Sequence, residues 1–167
     1  VLIEPTTVCA AHCRWCLRGQ YPINTMQKSQ ISHATRYIGS EKLNNDVDEV
    51  LITGGDPLMS LPLLGYTIGE ISRNAPNIKI IRIGTRVPVQ DPKRINDDLL
   101  EMLKRYSHLR IEIGVNICHP QEFWPETKDA LYRLRHAGFV IYNQNPLLKG
   151  VSDDFETLSS LYQNQLK

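Results

Sequence analysis

Five apolar runs of strand length alternate with amphipathic segments of helical length, and each run ends in a polar or glycine-rich loop. The connections are long enough for right-handed parallel crossovers. Together these observations predict an α/β fold of parallel strands, a partial (β/α) TIM-type barrel with about five βα units. The rival arrangement is an open doubly wound sheet. Five successive strands that all carry chemistry-bearing loops at the same end favour the barrel, where such loops gather around one mouth.

VLIE (1–4) is a short strand leading into a cysteine-rich loop. Residues 29–43 follow a helical pattern with Ile31, Ala34, Tyr37 and Ile38 on one face. DEVLITG (48–54) is a buried strand that ends in glycines. Residues 62–73 read as a helix with Leu63, Leu64, Ile68 and Ile71 inward, and Ala75-Pro76 lies beyond its end. IKIIRIG (78–84) is the third strand. Asp91-Pro92 opens a helix through Leu99, Leu100, Met102 and Leu103, because proline suits a first helical turn. LRIEIGV (109–115) is the fourth strand, and residues 126–136 form a helix stopped by Gly138. FVIYNQ (139–144) is the fifth strand, and a last helix covers 153–162. The strands read as near-continuously apolar, as in a covered parallel sheet.

The 167 residues suffice for one domain with its own core. With 41% apolar and 22% charged residues and a net charge of +1, bulk charge argues against a nucleic-acid or membrane-surface role. No apolar run approaches the roughly 18–20 residues that span a bilayer, and no charged-then-apolar leader precedes the first strand. The chain opens with Val1 directly in a strand-like run and closes on the polar QNQLK, so it reads as a piece of a longer protein.

Three cysteines fall within CAAHCRWC (9–16), and a fourth, Cys118, stands far away. A clustered trio with one distant member is not a secreted disulfide framework. It points to a reducing, cytoplasmic setting and a metal or cluster. Thiolates select zinc or iron–sulfur centres. One reading is structural zinc with Cys118, His12 or His119 as fourth ligand. The other is a 4Fe–4S cluster whose fourth iron is free for a ligand. Spacing alone leaves both open.

Cys9-x3-Cys13-x2-Cys16, after a first strand and with Trp15 directly before the last cysteine, resembles the signature of radical S-adenosylmethionine enzymes. ITGGDPL (52–58), RIGTRVPV (82–89), HPQE (119–122) and LLKGVSD (147–153) are similar to the lysine 2,3-aminomutase branch. The resemblance covers essentially the whole chain and implies a radical SAM core over residues 1–167, truncated at both ends relative to the family. It implies that Cys9, Cys13 and Cys16 bind a 4Fe–4S cluster whose free iron chelates S-adenosylmethionine. Reductive cleavage of that cosubstrate would start a 1,2-amino shift on an amino acid, with pyridoxal 5'-phosphate as second cofactor and a flavodoxin- or ferredoxin-type protein as electron donor. A radical enzyme with a different amino-acid or modification reaction, and a non-catalytic zinc- or cluster-binding module, are the alternatives.

The same resemblance assigns cosubstrate contacts. Trp15 would pack near the adenine. Gly54 and Gly55 would let the backbone approach the ligand, and Asp56 would accept from its ammonium; a helix-capping aspartate in a plain βα turn is the other reading of Asp56. Thr85, Arg86 and His119 would lie near the cosubstrate, and Gln144 would contact its ribose or adenosyl part. Arg86 reads equally as an ion pair at the core rim, and His119 as a structural histidine. Arg18 matches the residue that holds a substrate carboxylate, for which a guanidinium fork is suited. Gly19 and Gln20 follow it where the family commonly carries further basic residues, so the resemblance leaves the exact amino acid open. Arg14 reads as solvent-facing or structural. Cys118 stands where the branch usually has asparagine and reads as a small buried residue. Lys149 reads as a surface lysine, since the branch's Schiff-base lysine and its two substrate-reading acidic residues lie beyond Lys167. Arginines gripping the cofactor phosphate lie upstream of Val1. The full-length protein is open to homo-oligomerisation.

Overall fold

The computed structural model describes residues 1–43 and 46–165; the last two residues of QNQLK lie outside it. Among the described residues five strands form one sheet: β1 (Leu2–Thr6), β2 (Glu49–Gly54), β3 (Ile80–Thr85), β4 (Arg110–Val115) and β5 (Val140–Asn143). Every neighbouring pair is parallel and the order is β1-β2-β3-β4-β5. A doubly wound sheet reverses its strand order at a switch point. Here the order never reverses, so the sheet is an arc of a (β/α) barrel.

The helices are α1 (Lys28–Ile38), α2 (Leu61–Asn74), the single-turn α3 (Val87–Gln90), α4 (Asp97–Lys104), α5 (Pro125–His136) and α6 (Phe155–Gln165). α1 ends five residues before the expected 43, with Gly39 at its C-cap. Its buried stripe is Ile31, Thr35 and Ile38, a four-then-three spacing that follows the helical period, while Tyr37 is exposed and Ala34 half-buried. Thr35 is inside because it accepts from Asn74 Nδ2 of α2 at 2.9 Å. The Ser32 hydroxyl joins Tyr66 (2.9 Å) and Glu70 on the same helix.

The helix expected from Asp91-Pro92 is corrected. Asp91 precedes a 3-10 turn (Pro92–Arg94), and α4 starts later, where the Asn96 side chain accepts from the Leu99 N–H at 3.0 Å. That cap, followed by Asp97 and Asp98 in the first turn, is the stronger start signal.

The reading of near-continuously apolar strands is corrected too. Along β2, β3 and β4 the residues alternate. Val50, Ile52, Ile81, Ile83, Ile111 and Ile113 are buried in one core with Leu64, Ile68 and Ile71 of α2, Leu99 and Leu103 of α4, and Leu134 of α5. The opposite face carries Glu4, Glu49, Arg82, Gly84, Glu112 and Gly114. On it Arg82 bridges three strands. It reaches Glu49 of β2 at 3.0 Å and Glu112 of β4 at 3.1 Å, and lies 5.6 Å from the centre of the Tyr142 ring of β5. Arg110 Nε donates to the other oxygen of Glu112 at 2.6 Å.

Burial pushes the Glu112 carboxyl upward. The hydrogen bonds from Arg82 and Tyr142 and the charges of Arg110 and Arg82 outweigh it, so the group lies below the ordinary 4.5. A lowered folded value means that the stabilisation is present above 4.5 and is lost as pH falls through the lowered value. Glu112→Gln is therefore expected to lower stability by about 1–3 kcal/mol at neutral pH, and by progressively less on acidification. Urea denaturation at neutral and acidic pH checks this; a deficit that stays constant with pH would contradict it.

Candidate active site

The loop after β1 is anchored before its first cysteine. Its backbone continues the β1–β2 ladder: the Gly55 N–H donates to Thr6 O at 2.8 Å and the Asp56 N–H to Val8 O at 2.9 Å. A side chain at Gly54, which has φ of 123°, would overlap the carbonyl of Thr6, and one at Gly55 would overlap that of Val8. These two glycines therefore let the end of β2 lie against the entry of the cysteine loop. Beyond the cysteines the chain returns to β1. Thr6 and Thr25 form an antiparallel bridge, Thr7 N–H donates to Asn24 O at 2.9 Å, and Met26 N–H donates to Pro5 O at 2.8 Å. The cysteines thus sit on a loop tied at both ends to β1.

Within it Cys16 N–H donates to Cys13 O at 3.1 Å, and His12 takes a left-handed φ of 43°. Cys9 and Cys13 are half-buried and Cys16 is exposed. Burial raises the Cys13 thiol above the ordinary 9.0, against the charge of Arg86, with Cys9 and Cys16 adding to the rise. Among the described residues no three His, Cys, Asp or Glu side chains converge on the position of a single metal ion. A cluster binds each thiolate to a different iron, so its ligands need not converge on one point. Three soft thiol donors on one short loop fit that demand.

Asp56 is buried, and its carboxylate is shared among the surrounding loops. It accepts from the Leu58 N–H (3.0 Å), the Thr85 hydroxyl (2.8 Å) and the Arg86 N–H (2.7 Å). Burial raises its carboxyl above the ordinary range, while the donors from Arg86, Thr85, Leu58 and Val87 oppose the rise. The capping reading is thereby met through Leu58 N–H, and Asp56 and Thr85 together join the ends of β2 and β3.

Arg86 is 8% exposed. Its Nη1 donates to Cys118 Sγ at 3.2 Å, its Nη2 to Glu122, and its guanidinium lies 4.9 Å from the Trp15 ring centre. Glu122 also accepts from the Cys118 N–H at 2.7 Å. The Trp15–Arg86–Glu122 chain therefore connects the cysteine loop to the ends of β3 and β4. Arg86 Nε is buried with no partner among the described residues. Cys118 is buried, with its thiol raised by that burial against the Arg86 charge.

His119 Nδ1 accepts from the Gln121 N–H at 3.2 Å and caps a short 3-10 turn. Gln144 falls one residue past β5, with its backbone N–H on Val115 O at 2.8 Å. Its amide lies beside Gly84 and Gly114, where a side chain at Gly114 would approach it to 2.9 Å. Arg18 is half-buried and paired with Glu4. Arg14 and Lys149 are exposed. Sequence reasoning missed Glu4, Glu122 and the Asn24–Thr25 strap. A charge interrupting the apolar run VLIE, and the acid of HPQE, were the signals for the first two; the strap has none.

A parallel (β/α) barrel arc whose mouth gathers a three-cysteine loop, a glycine-rich turn and a buried arginine defines a barrel domain of the kind that carries its chemistry at one end of the strands. The model of the radical SAM superfamily matches residues 3–161, and the chain belongs to that family. Family membership implies a 4Fe–4S cluster and S-adenosylmethionine. The chain is 37% identical over 171 residues to the L-lysine 2,3-aminomutase of Acetoanaerobium sticklandii, covering 100% of this chain and 40% of that protein. It is 40% identical over 149 residues to the L-lysine 2,3-aminomutase of Methanococcus maripaludis (87% of this chain, 33% of that protein). It is 34% identical over 173 residues to the glutamate 2,3-aminomutase of Clostridioides difficile (100% and 39%). The chain therefore spans less than half the length of these relatives. No helix among the described residues is long and apolar enough to cross a membrane.

Proposed function

We propose that the protein carrying this chain is a cytoplasmic radical SAM aminomutase that moves an amino group between adjacent carbons of an amino acid. The observation that carries the reading is similarity to lysine and glutamate 2,3-aminomutases along the whole chain, joined to a mouth that holds three free thiols beside Arg86 and Arg18. Cys9, Cys13 and Cys16 would hold the cluster. The cluster and S-adenosylmethionine, reduced by a flavodoxin- or ferredoxin-type donor, would supply hydrogen-atom abstraction from the substrate. Pyridoxal 5'-phosphate would supply the imine chemistry of the amino shift, from segments flanking this chain.

The chain's own residues bind and orient. Trp15 offers a flat apolar face beside Cys16. Arg86, fixed by Glu122 and Cys118, presents its unpartnered Nε–H, a donor suited to a carboxylate. Gly54, Gly55, Asp56 and Thr85 hold the cysteine loop against β2 and β3. His119 and Gln144 line the ends of β4 and β5, and Gln144 covers the space over Gly84 and Gly114. Arg18 would take the substrate carboxylate.

Anaerobic reconstitution of the full-length protein tests the reading. A brown protein that yields 5'-deoxyadenosine on reduction, and converts lysine or glutamate to the β-amino acid when pyridoxal phosphate is present, is the expected result. A colourless zinc protein, or cosubstrate cleavage with no β-amino acid from any free amino acid, would overturn it.

A further inference from the structure

We propose that Glu4 is the positioning residue of Arg18 and sets how well the site takes an amino-acid carboxylate. The inference rests on the reading of Arg18 as the carboxylate-binding residue.

Glu4 stands in the middle of β1, on the face away from the apolar core. The ladder to β2 pairs Leu2 with Leu51 and Ile3 with Ile52, shifts register, and resumes at Thr6 with Gly54, so Glu4 is held between paired positions on both sides. Its Cβ lies 3.4 Å from where a Cβ at Gly54 would stand. The acid therefore projects from a sheet strand, beside the glycine-rich end of β2. Arg18 comes from the opposite kind of support. It lies in a 3-10 turn (Leu17–Gln20) in which no residue is buried, and its neighbour Leu17 is 89% exposed. Nothing in that turn anchors a long side chain. The ion pair with Glu4 does, with both side chains about one-third exposed (33% and 30%).

The contact joins Nη2 to one carboxylate oxygen. A guanidinium carries five N–H donors, so most of the fork remains for a second carboxylate. An arginine already held in place loses less side-chain freedom when it captures that carboxylate. Glu4 thus contributes to substrate affinity without touching substrate.

The test is steady-state kinetics of the full-length enzyme with its cofactors, beside calorimetry of amino-acid binding without reductant. Glu4→Leu is expected to raise KM about three- to fivefold, the range of a partly exposed ion pair, while kcat holds. Glu4→Gln keeps an acceptor for Nη2 and is expected to restore most of the affinity. Arg18→Gln is expected to raise KM more than either. An unchanged KM in Glu4→Leu overturns the role of Glu4, and so does a kcat loss that tracks thermal stability. Equal defects in Glu4→Leu and Glu4→Gln overturn positioning through the hydrogen bond. If Arg18→Gln leaves KM unchanged, the carboxylate reading of Arg18 fails and this inference fails with it. If Arg18→Gln weakens binding and Glu4→Leu does not, only Glu4 is excluded.

Discussion

Asp56→Ala is expected to destabilise the protein by about 3–5 kcal/mol, the cost of orphaning several buried donors at once. The carboxylate of this 2%-exposed residue accepts from Leu58 N–H, Thr85 O–H and Arg86 N–H, and these bonds are the ones that satisfy the three donors. One effect runs the other way: burial of the charge is itself unfavourable, which is why the carboxyl is raised. Asp56→Asn separates the two effects. It keeps one acceptor, removes the charge and turns an NH2 toward the donors, so an intermediate loss of about 1–3 kcal/mol is expected. The consequence extends to the cysteines, because the N–H groups of Gly55 and Asp56 carry the entry of their loop. Urea denaturation measures the loss. A change below about 1 kcal/mol in Asp56→Ala would show that water or local rearrangement satisfies those donors.

Alanine at Cys9, Cys13 or Cys16 is expected to reduce iron content and the visible absorption of the reconstituted protein to background. Formation of 5'-deoxyadenosine should fall with them. A cubane held by three protein thiolates has no spare ligand, so each substitution leaves a second iron open. Cys118→Ala is the control. Its thiol is buried and already engaged by Arg86 Nη1, and the variant is expected to retain about four irons per chain. Full iron in a Cys16→Ala protein, or loss of the cluster in Cys118→Ala, would overturn the ligand assignment. Arg86 and Trp15 give a second comparison, because their cation–π contact reaches the cysteine loop from the end of β3. Arg86→Lys keeps the charge but loses the fork, and separates general electrostatics from the specific contacts to Cys118 and Glu122.

Much of the architecture was legible because local patterns and tertiary needs agree. The five strands and their helices follow from apolar periodicity, and the barrel followed from polar loops recurring at one end. The structure departs from the local pattern where local cues compete. Asp91-Pro92 carries a helix-start signal, but Asn96 with Asp97 and Asp98 behind it caps better. Tyr37 matched the apolar stripe of α1, yet Thr35 is buried because Asn74 of α2 supplies a hydrogen bond that no local window contains. The strands read as near-continuously apolar because isoleucine, valine and leucine dominate them; the acids and arginines between those residues belong to a second face.

The sequence by itself determined the three-thiol loop, the glycine-rich turn and the membership of a parallel α/β class, because each depends on residues adjacent in the chain. Only the tertiary structure decided what those residues do to one another. It brought Asp56 under Thr85 and Arg86, laid Arg86 across Trp15, and set Glu4 beside Arg18. These pairs lie between 14 and 71 residues apart in sequence. Parallel strands joined by crossovers carry their C-terminal ends to one mouth, so side chains remote in sequence become neighbours there. That convergence is a property of the sheet order, and no single segment records it.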